Sequence, residues 1–346
     1  MRVFRHYQNL PPAARRAVVA IGNFDGVHLG HQAVLRRARA LADERRAPLG
    51  VLVFEPHPRE FFAPQAAPLR LMTLETKVRH LKELGVDFVY ALSFDYELSR
   101  MSAPDFVQEV LVSGLQAVHV VVGQDFYFGR DRSGDAAALS YMGEEEGFGV
   151  TVLDAVEDED EPGTEHSSTR IREALRAGEP ERAAAMLGRW WTIEGPVMEG
   201  DKRGRSIGFP TANVDLGRLV HPRLGVYAIR VEVLEGFHKG VYDGAANVGE
   251  RPTFGTSDVT LEAHLFDFCG DLYGTAISVA LISFIRPEMK FDGVESLKAQ
   301  IAKDCEAARR TLAHMAPAAG QAAAETEGAS GVRDATDVRD CKSGCK

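Results

Sequence analysis

Strand-sized apolar runs alternate with amphipathic stretches through the first half of the chain, and this alternation constrains the fold more than any other feature. Residues 17–22, 50–54, 88–92, 117–123 and 150–156 read as strands. Between them, residues 31–46, 74–84, 103–111 and 136–146 read as helices, the first with Val34, Leu35, Ala38 and Leu41 on one face. The run AVHVVVG at 117–123 is apolar on successive residues, as a strand buried on both faces must be. Such a pattern implies βαβ units and a Rossmann-like parallel sheet, with ligands beyond the carboxyl ends of the strands.

Past Trp190 the texture changes. Short runs rich in Val, Ile, Tyr and Phe, at 191–194, 227–234, 244–248, 260–266 and 276–285, are punctuated by Gly, Pro and Asp. They predict a compact antiparallel β-barrel or sandwich, closed by a helix over 294–315. Two short helices, 169–177 and 180–187, precede it. The expected domains are therefore 1–186 and 187–315, as a length of 346 residues suggests at about 150 residues per domain. Residues 316–346 have no aromatics and only Val332 and Val338 as large aliphatics, so a disordered tail is expected. Residues 157–165, EDEDEPGTE, read as a solvated acidic loop.

With 50 acidic and 40 basic residues the formal charge is −10, a poor match to nucleic acid or to an anionic membrane surface. No apolar run approaches the roughly 20 residues of a membrane span, and no secretory signal is evident. Four cysteines, two of them at 341 and 345, are too sparse for a disulfide framework. The expected compartment is the cytoplasm.

Two groups of motifs carry chemistry. GNFDGVHLGH, residues 22–31, lies between the first apolar run and the first helix. Gly22, Gly26 and Gly30 permit a tight turn, and the free N–H groups of the helix start favour a phosphate. His28 and His31 can donate to a triphosphate and to the charge that grows as pyrophosphate leaves. No third zinc ligand is spaced nearby, and no Gly-Lys-Ser/Thr follows, so neither a zinc site nor a Walker A loop is read here. GQDFYFG, residues 123–129, follows the most buried strand and offers Asp125, with Phe126 and Phe128 as either ligand or packing groups. SSTRIR, residues 167–172, sets hydroxyls at a helix start, where Arg172 can hold a polyphosphate.

In the second half, GDKRGRSIGFPTAN, residues 200–213, is a basic glycine-rich loop suited to phosphates. Thr211 and Asn213, two apart, share one strand face and supply hard oxygens suited to Mg²⁺. In the strand around 261–266, Glu262, His264 and Phe266 alternate with Leu261, Ala263 and Leu265, so Glu262 can face that pair and take a proton from an attacking hydroxyl.

In these motifs, and in GVYA (225–228), ANVGERPTF (246–254) and IRPEMKF (285–291), the chain resembles the prokaryotic bifunctional riboflavin kinase/FAD synthetase family over about residues 15–312. The resemblance implies two ATP-dependent reactions: riboflavin to FMN in the C-terminal domain, and FMN to FAD with release of pyrophosphate in the N-terminal one. It casts Glu262 as the base, with Thr211 and Asn213 holding Mg²⁺ and Lys202, Arg205 and Gly208 in the loop that closes over phosphates. It casts His28, His31 and Arg172 as catalytic, with Gly22, Asn23, Gly30, Ser167 and Thr169 on the ATP phosphates. Asp125, Phe126, Phe128 and Arg286 would serve the flavin. Neither reaction needs a cysteine. The implied partners are riboflavin, FMN, FAD and ATP, with no nucleic acid and no membrane, and a homo-oligomer is left open. Two rivals are a chain that keeps one activity and a flavin-binding sensor or carrier. His166 stands where the family commonly has an apolar residue, and the tail has no counterpart in the family core.

Overall fold

The computed structural model describes residues 1–157, 164–200, 204, 207–253 and 256–315, with backbone alone for 251–253 and 256–258. The expectations for Lys202, Arg205, the middle of the acidic loop and the tail fall outside the described residues.

The chain divides into two compact units, Met1–Arg170 and Ile171 onward. This division comes earlier than the expected 186/187 boundary. The helices Ser168–Ala177 and Pro180–Leu187 explain the difference, because they attach to the second unit: Arg223 N–H donates to Leu175 O at 2.9 Å.

In the first unit, β1 (Arg2–Phe4), β2 (Val18–Ile21), β3 (Leu49–Glu55), β4 (Phe88–Ser93), β5 (His119–Gly123) and β8 (Gly149–Leu153) form a six-stranded sheet in the order β1-β4-β3-β2-β5-β8. Every pairing in it is parallel. A small hairpin, β6 (Tyr127–Phe128) with β7 (Gly134–Asp135), stands apart. The apolar runs are continuous because both faces are covered. Val18 and Ala20 pack with Leu35, Ala38 and Leu41 of the helix Leu29–Arg45. Val19 and Ile21 face the opposite layer, which includes Phe106, Val110 and Leu139. From β2 the chain winds one way to β3 and β4, and the other way through β5 to β8. The crevice of a doubly wound sheet therefore opens beyond the carboxyl ends of β2 and β5.

The second unit is antiparallel: β9 (Thr192–Pro196), β10 (Ala212–Asp215), β11 (Gly225–Val233), β12 (Gly240–Thr253), β13 (Thr256–Leu265) and β14 (Ala276–Arg286), in the order β10-β13-β12-β11-β14-β9. The two ends of that order meet, since Met198 just past β9 donates its N–H to Asn213 O in β10 at 2.9 Å, and the sheet closes into a barrel. The helix Val294–His314 covers it, burying Ala308 and Leu312 against Ala228, Ala245 and Ile282. The fold is thus the expected Rossmann-like sheet together with a barrel and its closing helix.

Candidate active sites

Residues 22–30 leave β2 and enter the helix Leu29–Arg45 through a cramped turn. Phe24 and Val27 both take positive φ, 47° and 42°. His28 is the helix N-cap, and its Nδ1 accepts the His31 N–H at 3.4 Å. A ring nitrogen that accepts carries no proton, so a neutral His28 keeps its proton on Nε2. The two imidazoles stack with centroids 3.7 Å apart, and Phe24 lies 5.0 Å from His31. A Cβ on Gly30 would sit 3.1 Å from His28 Nδ1 and 3.5 Å from His166 O, so any side chain there would press on the His28 ring.

The segment that opens the helix Ser168–Ala177 closes on this turn. Ser168 Oγ donates to Asp25 O at 2.8 Å. Ser167 Oγ accepts the Arg170 N–H at 3.3 Å, the expected cap. Thr169 is exposed, and Arg172 is buried on the second turn. The structure therefore brings the first glycine turn together with Ser167 and Ser168. Asp125 is exposed in the turn after β5, the strand beside β2.

Phe128, expected as either a ligand or a packing group, makes packing contacts. It is 6% exposed, belongs to the core with Phe106 at 5.6 Å, and stacks on the half-buried Phe126 at 5.5 Å.

A set of buried charges behind the turn has no sequence signal of its own. Asp25 accepts the Leu71 N–H with both oxygens, at 2.9 and 3.1 Å. Lys77 donates from Nζ to Asn23 O at 2.7 Å. Arg70 bridges Glu55 and Glu60, each at 2.5 Å. Burial pushes the Lys77 ammonium below the ordinary lysine value, against the pull of Asp25 and Glu55. In LETKVRH, Lys77 reads as a solvated helix residue, which is why it goes unnoticed without the fold.

The second site lies across the barrel wall. Asn213 of β10 stands opposite Glu262 of β13, and Glu262 stands opposite Asn247 of β12. Directly paired residues project to the same face, so a carboxylate is flanked by two amides in one row. Asn213 is buried, and a Cβ on Gly200 would meet its Nδ2 at 2.5 Å. Thr211 immediately precedes β10 in the same alternation. A Cβ on Gly204 would lie 3.4 Å from Thr211 Oγ1, which places Gly204 beside this row. Gly208 turns the basic loop at φ 92°. His264 Nδ1 lies 2.8 Å from Pro210 O, tying β13 to the Phe-Pro-Thr segment. Asn247 Nδ2 reaches Glu288 Oε1 at 3.3 Å; the two residues belong to ANVGERPTF and IRPEMKF, but only the register reveals the link to Glu262.

Arg286, expected on the flavin side, contacts the closing helix and the residue that follows it. Its Nε and Nη2 fork onto Asp304 at 2.9 and 2.6 Å, and Nη1 donates to Pro287 O at 2.8 Å. The guanidinium fastens the closing helix to the barrel. Among the described residues no group of three or more His, Cys, Asp or Glu is placed to hold a metal, and no helix is long and apolar enough to cross a membrane.

A glycine turn and helix start at the switch point of a parallel sheet, joined to a barrel with a hydroxyl, amide and carboxylate in line, defines a chain built to handle nucleotide phosphates at two places. Family comparison makes this specific. The FAD synthetase family model matches residues 10–170, and the riboflavin kinase model matches residues 187–312. The bifunctional riboflavin kinase/FMN adenylyltransferase of Pseudomonas fluorescens is 43% identical over 314 residues, covering 90% of this chain and 98% of that protein. That of Escherichia coli (strain K12) is 43% identical over 319 residues, covering 92% and 100%. A crystal structure described as a macrolide-efflux protein from Streptococcus pneumoniae matches with a TM-score of 0.77 and 32% identity, over 89% of this chain and 98% of that one. The chain belongs to the bifunctional riboflavin kinase/FMN adenylyltransferase family.

Proposed function

We propose that this enzyme makes both flavin cofactors, with residues 187–315 phosphorylating riboflavin to FMN and residues 1–186 adenylylating FMN to FAD. The observation that carries the reading is that each family model covers one of the two sites, in the order the sites occur.

In the barrel, Glu262 accepts the proton of the ribityl 5′-hydroxyl as its oxygen attacks the γ-phosphorus of ATP, and ADP leaves. Asn213 and Asn247 stand on either side of Glu262 in the strand register. Thr211 and Asn213 offer a hydroxyl and an amide oxygen beside that carboxylate, a hard donor set that fits a divalent cation held chiefly by nucleotide phosphates, and we assign Mg²⁺. When bound, the ion supplies charge neutralisation on the transferred phosphoryl group. Lys202 and Arg205 belong to the loop that covers those phosphates.

In the first unit, an FMN phosphate oxygen attacks the α-phosphorus of ATP and pyrophosphate leaves, so no protein nucleophile is required. His28 and His31 donate to the phosphates and to the leaving charge, aided by the N–H groups of the helix start. Asn23, Ser167, Thr169 and Arg172 grip the triphosphate, and Asp125 and Phe126 line the flavin side. We place the enzyme in the cytoplasm, where its substrates and reduced cysteines are at home.

Purified protein incubated with riboflavin, ATP and Mg²⁺, with chromatography of the resulting flavins, is expected to yield FMN and then FAD. FMN alone would reduce the reading to one activity, and unchanged riboflavin would refute it.

A further inference from the structure

We propose that Lys77 is a positioning residue for adenylyl transfer: its ammonium holds the main-chain oxygen of Asn23 and thereby sets the turn that presents His28 and His31. The inference rests on the reading of that turn as the adenylylation site. The turn has a structural problem to solve. Phe24 and Val27 both sit at positive φ, which side chains with a Cβ adopt only when their surroundings enforce it. Side-chain contacts among the described residues supply the enforcement: Gln32 Nε2 donates to Val27 O at 3.0 Å, and three others act on Asn23 and Asp25. The Leu71 N–H binds the Asp25 carboxylate, and Ser168 Oγ binds Asp25 O. The third, Lys77 Nζ to Asn23 O at 2.7 Å, acts one residue before the first strained position.

A lysine is a costly residue to place there, and its cost argues for a purpose. Its side chain is 6% exposed, and burial disfavours its charge. The charges facing it are the carboxylates of Asp25, Glu55 and Glu60 and the competing cation of Arg70. Arg70 pairs with Glu55 and Glu60, while Lys77 reaches the turn itself through Asn23 O. Its own helix, Leu74–Glu83, is pinned at the start by Thr73 Oγ1 accepting the Thr76 N–H at 3.2 Å, so the ammonium is delivered from a fixed base. A turn held from behind in this way keeps its imidazoles and helix N–H groups in place without substrate, and a displacement of about an ångström at such a site can cost up to about a hundredfold in rate.

The test uses the full chain with Lys77→Met, Lys77→Arg and His31→Ala, each assayed for FMN formation from riboflavin and, separately, for FAD formation from FMN. Lys77→Met is expected to lower kcat for adenylylation by about tenfold or more, with KM for ATP within about threefold and FMN formation unchanged. Lys77→Arg keeps the charge but cannot seat the same N–O contact, and is expected to fold and to lose kcat by a smaller factor. Adenylylation by Lys77→Met within about twofold of the parent, while His31→Ala is slowed, would overturn the proposal and leave the site reading standing. Unchanged adenylylation in His31→Ala would remove the site reading itself. If rates expressed per folded molecule restore the Lys77→Met value, Lys77 serves stability alone and the proposal fails. Parental kcat in Lys77→Arg would also overturn it, and does so even if Lys77→Met does not fold.

Discussion

Asp304→Ala separates an anchor from a flavin contact at Arg286. Asp304 is 5% exposed and accepts from Arg286 Nε, Arg286 Nη2 and Gln300 Nε2, at 2.9, 2.6 and 2.9 Å. Deleting the carboxylate strands a guanidinium whose side chain is 16% exposed, with Pro287 O at 2.8 Å as its remaining partner among these contacts. Breaking a buried ion pair from one side costs about 3–5 kcal/mol. The retained bond and the partial exposure reduce this to about 2–4 kcal/mol. At roughly 3 °C per kcal/mol for a unit of this size, the barrel should melt about 6–12 °C earlier. The assay is a fixed heat step on the full chain, then cooling and separate measurement of FMN formation and FMN adenylylation. The midpoint for loss of FMN formation should fall by that amount and the midpoint for adenylylation should not move. Riboflavin KM below the transition should stay within about twofold. An unmoved midpoint together with a riboflavin KM raised about tenfold would refute the anchor and return Arg286 to the flavin site.

Three further outcomes are expected. Glu262→Gln should cut FMN formation by about 10²–10⁴-fold and spare adenylylation, measured by separate end-point assays. Replacing His28 and His31 together with Ala should lower FAD formation from FMN by at least about tenfold while FMN formation is retained, as single-turnover rates would show. His119 is buried in β5 with Nε2 2.8 Å from Thr151 Oγ1, and burial, with Arg45 and Arg37 nearby, pushes its pKa below the ordinary 6.5. The unfolded chain then takes up a proton that the folded one refuses, so this contribution is complete above about pH 6.5 and is lost as pH falls from there toward the folded pKa. Urea midpoints of the first unit should drop more steeply on acidification in the parent than in His119→Val.

The sheet is legible because its physics is one-dimensional: VVAI, and the three valines of HVVVG, are apolar on successive positions since both faces are covered, and period alone conveys that. The edge strand β1 is not, because three residues held by pairing with β4 carry no period of their own. At the sites, motif spacing found what is local: His28 with His31, and Thr211 with Asn213. It could not find Asn247 opposite Glu262, which depends on the register of two strands, nor Lys77 beneath Asn23, 54 residues away in the chain. For Phe128 and Arg286 spacing leaves the partner open, because a ring or a guanidinium next to a motif looks the same whether it meets a ligand or a neighbour. Only burial of the first and the Asp304 fork on the second distinguish the two.

On the proposed reading, the two sites solve phosphate chemistry differently, and the difference stems from what attacks. Where a phosphate oxygen attacks, the nucleophile arrives ionised and the difficulty is the charge that leaves. A helix start with two stacked imidazoles, 3.7 Å apart, supplies donors and positive potential and contains no carboxylate in the turn that is free of structural work, Asp25 being bound to Leu71 N–H. Where an alcohol attacks, a proton must be removed, and the barrel places Glu262 between Asn213 and Asn247. Amides flank a carboxylate without neutralising it, whereas a lysine or arginine in that row would hold its charge and blunt it as a base. An imidazole pair in the barrel or a carboxylate at the first turn would each oppose the reaction beside it. The strand row and the helix start are therefore matched to their nucleophiles, which is why exchanging the residue types between them should abolish both activities while leaving both folds intact.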